Sequence, residues 1–80
     1  MKYTQYFFQT RKRDDRKWIK TEWIEQAVQD PIRRETQTDG RIKVWGYISE
    51  ENKYLRVILL ADGETVHNAF FDRSFREDNA

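Results

Sequence analysis

The stretch at residues 41–71 constrains the fold of this chain more than any other. It contains three runs rich in β-branched and aromatic residues, RIKVWGYIS, YLRVILLA and ETVHNAFF, separated by the turn-forming segments EENK and DG. The Asp62-Gly63 pair is a strong hairpin signal, because the tight primed turns that join two strands need positive φ at their central residues. The segment therefore predicts a three-stranded antiparallel meander.

The two turns predict how the three strands pair. A two-residue turn at 62–63 pairs the second strand with the third as follows: Leu59 with Val66, Val57 with Asn68, and Leu55 with Phe70. The connection at 50–53 pairs the first strand with the second as follows: Ile48 with Leu55, and Val44 with Leu59. Because side chains alternate across a strand, this pairing predicts two different faces.

One predicted face is apolar and is expected to be the core face: Ile42, Val44, Gly46, Ile48, Leu55, Val57, Leu59, Val66, Asn68 and Phe70. The other mixes basic, aromatic and imidazole side chains: Arg41, Lys43, Trp45, Tyr47, Tyr54, Arg56, Ile58, Leu60, Thr65, His67, Ala69 and Phe71. None of these twelve positions is acidic, although the chain contains 14 Asp and Glu residues. We expect the function to lie on this second face.

The remaining elements complete an α+β prediction for a single domain at 1–80. Residues 2–8 are β-prone and predict a first strand. Residues 21–29 show an apolar stripe at helical spacing, with Thr21 as the expected N-cap and Pro31 beyond the end. Residues 33–38 are compatible with a short edge strand. The prediction is an antiparallel sheet of about four strands with one or two helices packed on one face.

Two charged segments leave alternatives open. The bases within 10–20 form either a solvated charged surface or an extension of a phosphate-contacting surface, and Trp18 and Ile19 are expected to anchor this segment in the core on both interpretations. In the tail at 72–80, only Phe75 requires a buried site.

Composition excludes several classes of function. A net charge of +1 excludes a globally basic nucleic-acid binder but allows a local basic patch. The absence of cysteine excludes disulfides and thiolate metal sites, and a single histidine excludes a multi-histidine zinc site, so we expect no metal and no cofactor. No apolar run resembles a signal peptide or a membrane span, so a soluble, cytoplasmic protein without a membrane partner is expected.

The second face is suited to single-stranded RNA, because cations hold phosphates and flat rings stack on unpaired bases. The predicted nucleic-acid-binding residues are Arg41, Lys43, Trp45, Tyr54 and Arg56. The alternative is a non-catalytic interaction surface. On that hypothesis the apolar members of the face pack under a C-terminal segment, a partner protein or a second copy of the chain.

A metal-independent ribonuclease is a further hypothesis for the same face. RNA cleavage needs a base for the 2′-hydroxyl, an acid for the leaving oxygen and a cation for the charged transition state. The candidate catalytic residues are His67, Arg56 and Tyr47, because the predicted pairing places them on one face. A lone histidine in a strand is more often structural, which is the competing interpretation of His67.

The order of strand, helical region ending in proline and meander resembles the small RelE/ParE-type toxin fold. The chain is also similar to bacterial domains grouped near RelE and BrnT toxins, over roughly 8–71. The residues that carry the similarity are Arg13, Lys17, Ile19, Trp23 or Ile24, Val28, Pro31, Leu55, Val57 and Ile58. Gln9 stands where that family often has a histidine. The HNAFFDRSF segment is similar to the ends of phage-associated nuclease domains. This resemblance implies a toxin-like module that binds or cleaves RNA, with the ribosome or an antitoxin-like protein as partner.

Overall fold

Three long strands form the centre of the sheet, as the alternation of their side chains predicts. The computed structural model describes residues 1–77. Its elements are β1 (Lys2–Tyr3), α1 (Gln5–Thr10), α2 (Thr21–Gln29), β2 (Arg33–Thr36), β3 (Ile42–Ile48), β4 (Lys53–Leu59) and β5 (Thr65–Phe71). The sheet order is β1-β5-β4-β3-β2, with β1 parallel to β5 and the other pairs antiparallel. The α+β class and the meander are confirmed, but the sheet has five strands and is mixed.

Helix α2 covers the core face of the sheet and has the predicted bounds. Ile24 and Ala27 are fully buried, which follows from their i, i+3 spacing on one side of the helix. The predicted N-cap is wrong by one residue, because Lys20 occupies that position and makes no side-chain capping bond. The helix ends before Pro31, with Asp30 outside helical geometry.

A glycine in β3 allows α2 to lie directly on the sheet. A Cβ at Gly46 would stand 2.7 Å from both Cα and Cβ of Ala27. Real Cβ atoms do not approach other carbon atoms this closely, so any larger residue at Gly46 would push the helix away. The small residues at these two positions therefore set the distance between the two layers.

The pairing of β3 with β4 differs from the prediction by two residues. Val44 lies opposite Val57, and Ile48 lies opposite Lys53. The connection occupies 49–52, one residue earlier than predicted, with Asn52 at a positive φ of 54°. A shift of two leaves every side chain on its predicted face, and Val57 is fully buried as predicted.

A β-bulge in β5 corrects the predicted faces of that strand. Leu59 lies opposite Val66 as predicted, but the register then shifts, and Val57 lies opposite Ala69 rather than Asn68. Leu55 correspondingly lies opposite Phe71 rather than Phe70. The extra residue turns Ala69 and Phe71 towards the core and leaves Asn68 and Phe70 on the other face, which we call the outer face.

The N-terminal prediction of a strand at 2–8 is wrong after Tyr3. Thr4 caps α1 by accepting a hydrogen bond from the Phe7 amide at 3.0 Å. Phe7 and Thr10 are then buried on one side of the helix, at a spacing that a strand would not bring together. Helix α1 packs along β5, next to the short parallel pairing of β1.

The basic segment between the helices consists of turns, and its two predicted anchors behave differently. Ile19 is buried, and its carbonyl accepts a hydrogen bond from Arg11 at 2.8 Å. Trp18 is not in the core and remains 42% exposed. Phe75 is buried as predicted, and the rest of the predicted tail beyond residue 77 lies outside the described residues. No helix among residues 1–77 is long and apolar enough to cross a membrane.

Candidate nucleic-acid interface

The chain after β5 covers one half of the outer face. Phe75 folds back over the sheet and stacks on Trp45, with ring centroids 5.0 Å apart. Trp45 is only 4% exposed, and its indole Nε1 donates to Asp72 Oδ2 at 2.9 Å. This packing under a C-terminal segment is the alternative that the sequence left open for Trp45. Its ring is not available for stacking on a base.

Asp72 also holds Arg56, one of the predicted phosphate ligands. The Arg56 Nη2 atom lies 2.7 Å from Asp72 Oδ2, and Nε donates to the same oxygen at 3.0 Å. Burial alone would raise the pKa of Asp72. This effect of burial is outweighed by hydrogen bonds from Trp45 and Ser74 and by the charge of Arg56, so the pKa of Asp72 is lowered to about 2. Asp72 is therefore ionised near neutral pH and offsets the charge of Arg56.

Two further predicted ligands also face carboxylates. Lys43 Nζ lies 4.0 Å from Glu35 in the neighbouring strand, and the Tyr54 hydroxyl donates to Glu77 at 2.6 Å. None of the twelve positions predicted for this face is acidic. The carboxylates that face its side chains come instead from β2 and from the chain after β5. Local pairing therefore reduces the positive charge of this half of the face.

The other half of the outer face remains open and forms a shallow groove of about 490 Å³. Its lining residues are Tyr6, Gln37, Arg41, Arg56, Ile58, His67, Asn68 and Phe70. We call this the open groove. None of its lining side chains is a carboxylate, and Arg41 makes no ion pair with any carboxylate in residues 1–77. Of the two guanidinium groups in the lining, Arg56 is paired with Asp72, and Arg41, immediately before β3, has no counter-charge among residues 1–77.

His67 lies at the bulge and is held from two sides by the N-terminal segment. Its Nδ1 is 3.0 Å from Thr4 Oγ1, and the Tyr6 ring stacks on the imidazole with centroids 4.5 Å apart. Burial lowers the pKa of His67 below its usual 6.5, and the positive charge of Arg41 lowers it further. The ring is thus neutral at physiological pH.

The contact with Thr4 is compatible with either neutral tautomer of His67. Thr4 Oγ1 accepts from the Phe7 amide and still has a proton to donate and a second lone pair. When His67 Nδ1–H donates to Thr4, Nε2 is a proton acceptor, and in the other tautomer Nε2 is a donor. No residue among 1–77 hydrogen-bonds Nε2, so either tautomer leaves this atom available to a ligand.

The structure does not bring the three predicted catalytic residues together. His67 and Arg56 line the same groove, but Tyr47 lies opposite Tyr54, at the other end of the sheet. The separation between the Tyr54 and Ile58 positions in β4 is about 13 Å at the usual strand rise. The hydroxyl of Tyr47 donates to Asn52 instead.

Four residues around His67 were not predicted as site residues: Thr4, Tyr6, Asn68 and Phe70. Threonine is a favoured N-cap residue, so Thr4 was a signal for a helix start that would have placed Tyr6 outside a strand. The predicted core position of Asn68 was energetically unfavourable, because a buried amide needs hydrogen-bond partners. In the structure, Asn68 Oδ1 accepts from Arg16 at 3.2 Å.

No cluster of three or more potential metal ligands occurs among residues 1–77. Comparisons of the chain with protein families, curated proteins and solved structures found no match. A functional proposal for this chain therefore depends on the geometry and charge of the open groove.

Proposed function

We propose that this protein binds single-stranded RNA in the open groove. The observation that carries the proposal is the lining of the groove, in which the free charge of Arg41 lies beside the stacked Tyr6 and His67 rings without a lining carboxylate. A guanidinium holds a phosphate, and an exposed ring accepts an unpaired base on its face.

The shape of the groove favours a single strand over a duplex. Reading duplex DNA requires a helix or ribbon that enters a groove of the DNA, whereas this site is a depression in a sheet face. Unpaired bases can be splayed onto Tyr6, while the amide of Asn68 and His67 Nε2 offer hydrogen bonds to base edges or a 2′-hydroxyl. The 2′-hydroxyl is the group by which such a site would prefer RNA to DNA.

Charge reversal at Arg41 tests this proposal. Arg41→Glu should weaken binding of a fluorescently labelled single-stranded RNA at least about tenfold, because it replaces the unpaired cation with an anion. Arg34→Glu makes the same change in net charge on the edge strand β2, where Arg34 is exposed opposite Val44 and outside the groove lining, and it should leave the affinity nearly unchanged. Equal weakening by both variants would assign binding to overall charge rather than to the groove.

Arg56 is unsuitable for this test. Its reversal would place a second carboxylate against Asp72 and disturb the tail that covers Trp45. The isolated charge of Arg41 can be reversed without breaking an ion pair within residues 1–77.

Cleavage of the bound RNA is a second candidate function, favoured by the lowered pKa of His67, which favours the neutral, proton-accepting ring, and by the available Nε2. A neutral imidazole can take the proton of a 2′-hydroxyl. The 2′-oxygen then attacks phosphorus, the P–O5′ bond breaks, and the departing 5′-oxygen takes a proton from water, which leaves a 2′,3′-cyclic phosphate and a 5′-hydroxyl, while the imidazolium returns its proton to the solvent. Arg41 would offset the charge that develops on the phosphate oxygens.

His67→Ala tests cleavage separately from binding. At saturating RNA it should lower the rate of cyclic-phosphate formation by about 10² to 10⁴, a loss separate from any weakening of binding that removal of the ring causes. A DNA strand of the same sequence is the matched control, because it lacks the attacking hydroxyl. Equal rates for wild type and His67→Ala, or an absence of cyclic phosphate, would reject catalysis by His67 and leave the binding proposal in place.

The resemblance to RelE/ParE-type toxins agrees with this choice of ligand and extends the proposal to RNA on the ribosome and to an antitoxin-like partner. The alternative is a protein-interaction module. RNA binding should weaken steeply as salt rises from about 50 to 200 mM, whereas association through an apolar interface should not.

A further inference from the structure

Trp18 is the exposed tryptophan of this protein. It is 42% exposed, whereas Trp23 and Trp45 are 3% and 4% exposed. Burial of such a large apolar side chain would be favourable by a few kcal/mol, so an exposed indole on the rim of a groove is a strong marker of a contact surface. The open groove does not include this residue.

The ring of Trp18 is held in place by other aromatic residues. It stacks on Phe71 with centroids 5.2 Å apart and lies nearly perpendicular to Trp23 at 6.1 Å. Lys53 Nζ lies 5.5 Å from the Trp18 ring and 5.6 Å from the Phe71 ring. The indole is thus oriented before any ligand arrives, which lowers the entropy lost on stacking.

A second groove of about 430 Å³ lies in front of this ring. Its lining residues are Asp15, Arg16, Trp18, Lys53, Phe70, Phe71 and Arg73. We call this the Trp18 groove. Asp15 is its one carboxylate and lies 3.9 Å from Arg16, so the positive charges of Lys53 and Arg73 remain without a counter-charge in the lining.

The two grooves meet at Phe70, which lines both. Arg16 Cζ lies 5.2 Å from the Phe70 ring and Arg56 Cζ lies 5.3 Å from it, so guanidinium groups from both grooves contact this ring. From His67 to Phe71, β5 advances about 13 Å, and the path also passes round the β5 edge, because Phe70 lies on the outer face and Phe71 on the core side. At 3.4 Å per stacked nucleotide, a strand therefore needs at least about four nucleotides to reach both grooves.

We propose that the Trp18 groove is a second subsite for the same RNA strand, in which the indole stacks on a base and Lys53 and Arg73 hold the adjoining phosphates. The strand would run along β5 from Arg41 and His67, past Phe70, to Trp18. This proposal rests on the proposed RNA-binding function and adds a site of its own.

Titration of the protein with a labelled single-stranded RNA of about 10 nucleotides tests the subsite. Trp18→Ala should weaken binding about 5- to 150-fold, the range expected for one lost base-stacking contact. Trp18→Phe should weaken it less, because the phenyl ring retains part of the stacking surface. Phe8→Ala is the matched control, since Phe8 is an exposed aromatic residue that lines neither groove, and it should not change the affinity.

Intrinsic fluorescence provides a second readout in the same experiment. RNA should quench the emission of the wild-type protein, and the quenching should disappear in Trp18→Phe, because the other two indoles are buried. Circular dichroism checks that each variant is folded.

The possible results separate the two proposals. RNA binding that weakens in Arg41→Glu but is unchanged in Trp18→Ala, with quenching retained in Trp18→Phe, would overturn the subsite and leave the proposed function standing. A complete absence of RNA binding by the wild type at low salt would reject both. Weakening by Trp18→Ala and Arg41→Glu, but not by Phe8→Ala, is the result that supports one continuous path.

Discussion

A single imidazole reports on the open groove, because His67 is the only histidine in the chain. Its neighbours Thr4, Tyr6 and Arg41 come from two different segments, and each acts on a different property of the ring. Thr4 fixes the ring by a hydrogen bond, Tyr6 covers one of its faces, and Arg41 disfavours its charged form. The titration of this one group is therefore sensitive to the geometry of the groove.

The pKa of His67 should lie below 6.5 in the folded protein and should rise in Arg41→Ala, since the variant removes a repulsive charge. The folded state then binds this proton more weakly than the unfolded state, so the free energy of unfolding should decrease as the pH falls below 6.5. NMR titration of the imidazole resonances measures the pKa directly. A value at or above 6.5 in the wild type would contradict the described surroundings of the ring.

Asp72 joins the sheet to the chain that follows it, through Arg56, Trp45 and Ser74. Asp72→Asn should lower the free energy of unfolding near neutral pH by roughly 1–3 kcal/mol, because a neutral amide cannot replace these charge-assisted bonds. The pKa of this carboxyl is lowered from 3.8 to about 2, so its contribution is complete above 3.8 and is lost as the pH falls through about 2. Urea denaturation should show that the difference in the free energy of unfolding between wild type and variant becomes smaller as the pH falls from 3.8 to about 2. If that difference does not depend on pH, the Asp72 carboxylate is not its source.

At the scale of secondary-structure elements, the position of α2 on the sheet depends on the contact between Ala27 and Gly46. Gly46→Ala should destabilise the fold by roughly 2–3 kcal/mol, because the added methyl group meets the helix backbone as well as the Ala27 side chain. Thermal denaturation measures the loss, and Thr36→Ala on the exposed edge strand is a control that should change stability little.

A double-mutant cycle measures how strongly positions 27 and 46 interact. In Ala27→Gly/Gly46→Ala the side-chain clash is removed, but the new Cβ still lies 2.7 Å from the Cα of residue 27. The double variant should therefore be less destabilised than the sum of the single variants and still less stable than wild type. Strict additivity would mean that the two positions are not in contact.

The sequence was sufficient for those elements whose signal is local. The bounds of α2 follow from apolar spacing and Pro31, and the core faces of β3 and β4 follow from alternation with a period of two. The same period explains the two-residue error in their pairing, because a shift of two moves Val44 from Leu59 to Val57 without exposing either side chain.

The bulge in β5 could not be fixed by pattern alone. Each alternating set contains one phenylalanine, and the polar amide of Asn68 favours Ala69 with Phe71 for the core, but a strict period of two has no place for the extra residue that the bulge inserts. Trp18 was predicted to be buried and is exposed, whereas Trp45 was predicted to lie on the open face and is buried, for a similar reason. Their burial depends on where Phe75 and Phe71 dock, which is a contact between segments distant in sequence.

At the scale of the whole molecule, a net charge of +1 conceals an uneven distribution. Glu35 and Asp72 compensate the cations Lys43 and Arg56 on the covered half of the outer face, and Glu77 adds a further carboxylate there at Tyr54. Arg41, Lys53 and Arg73 have no such partners among residues 1–77 and line the two grooves along β5. A weakly charged protein can therefore present a locally positive path for a phosphate backbone.

The most direct test of this account is an amide chemical-shift map of the isotope-labelled protein titrated with single-stranded RNA of about 10 nucleotides at low salt. We predict that the largest shifts fall on Tyr6, Arg41, His67, Asn68 and Phe70, and that the indole signal of Trp18 moves while those of Trp23 and Trp45 do not. Shifts concentrated instead on the solvent-facing residues of α2, such as Glu22 and Glu25, or an unchanged spectrum at saturating RNA, would contradict the claim that the outer face binds RNA.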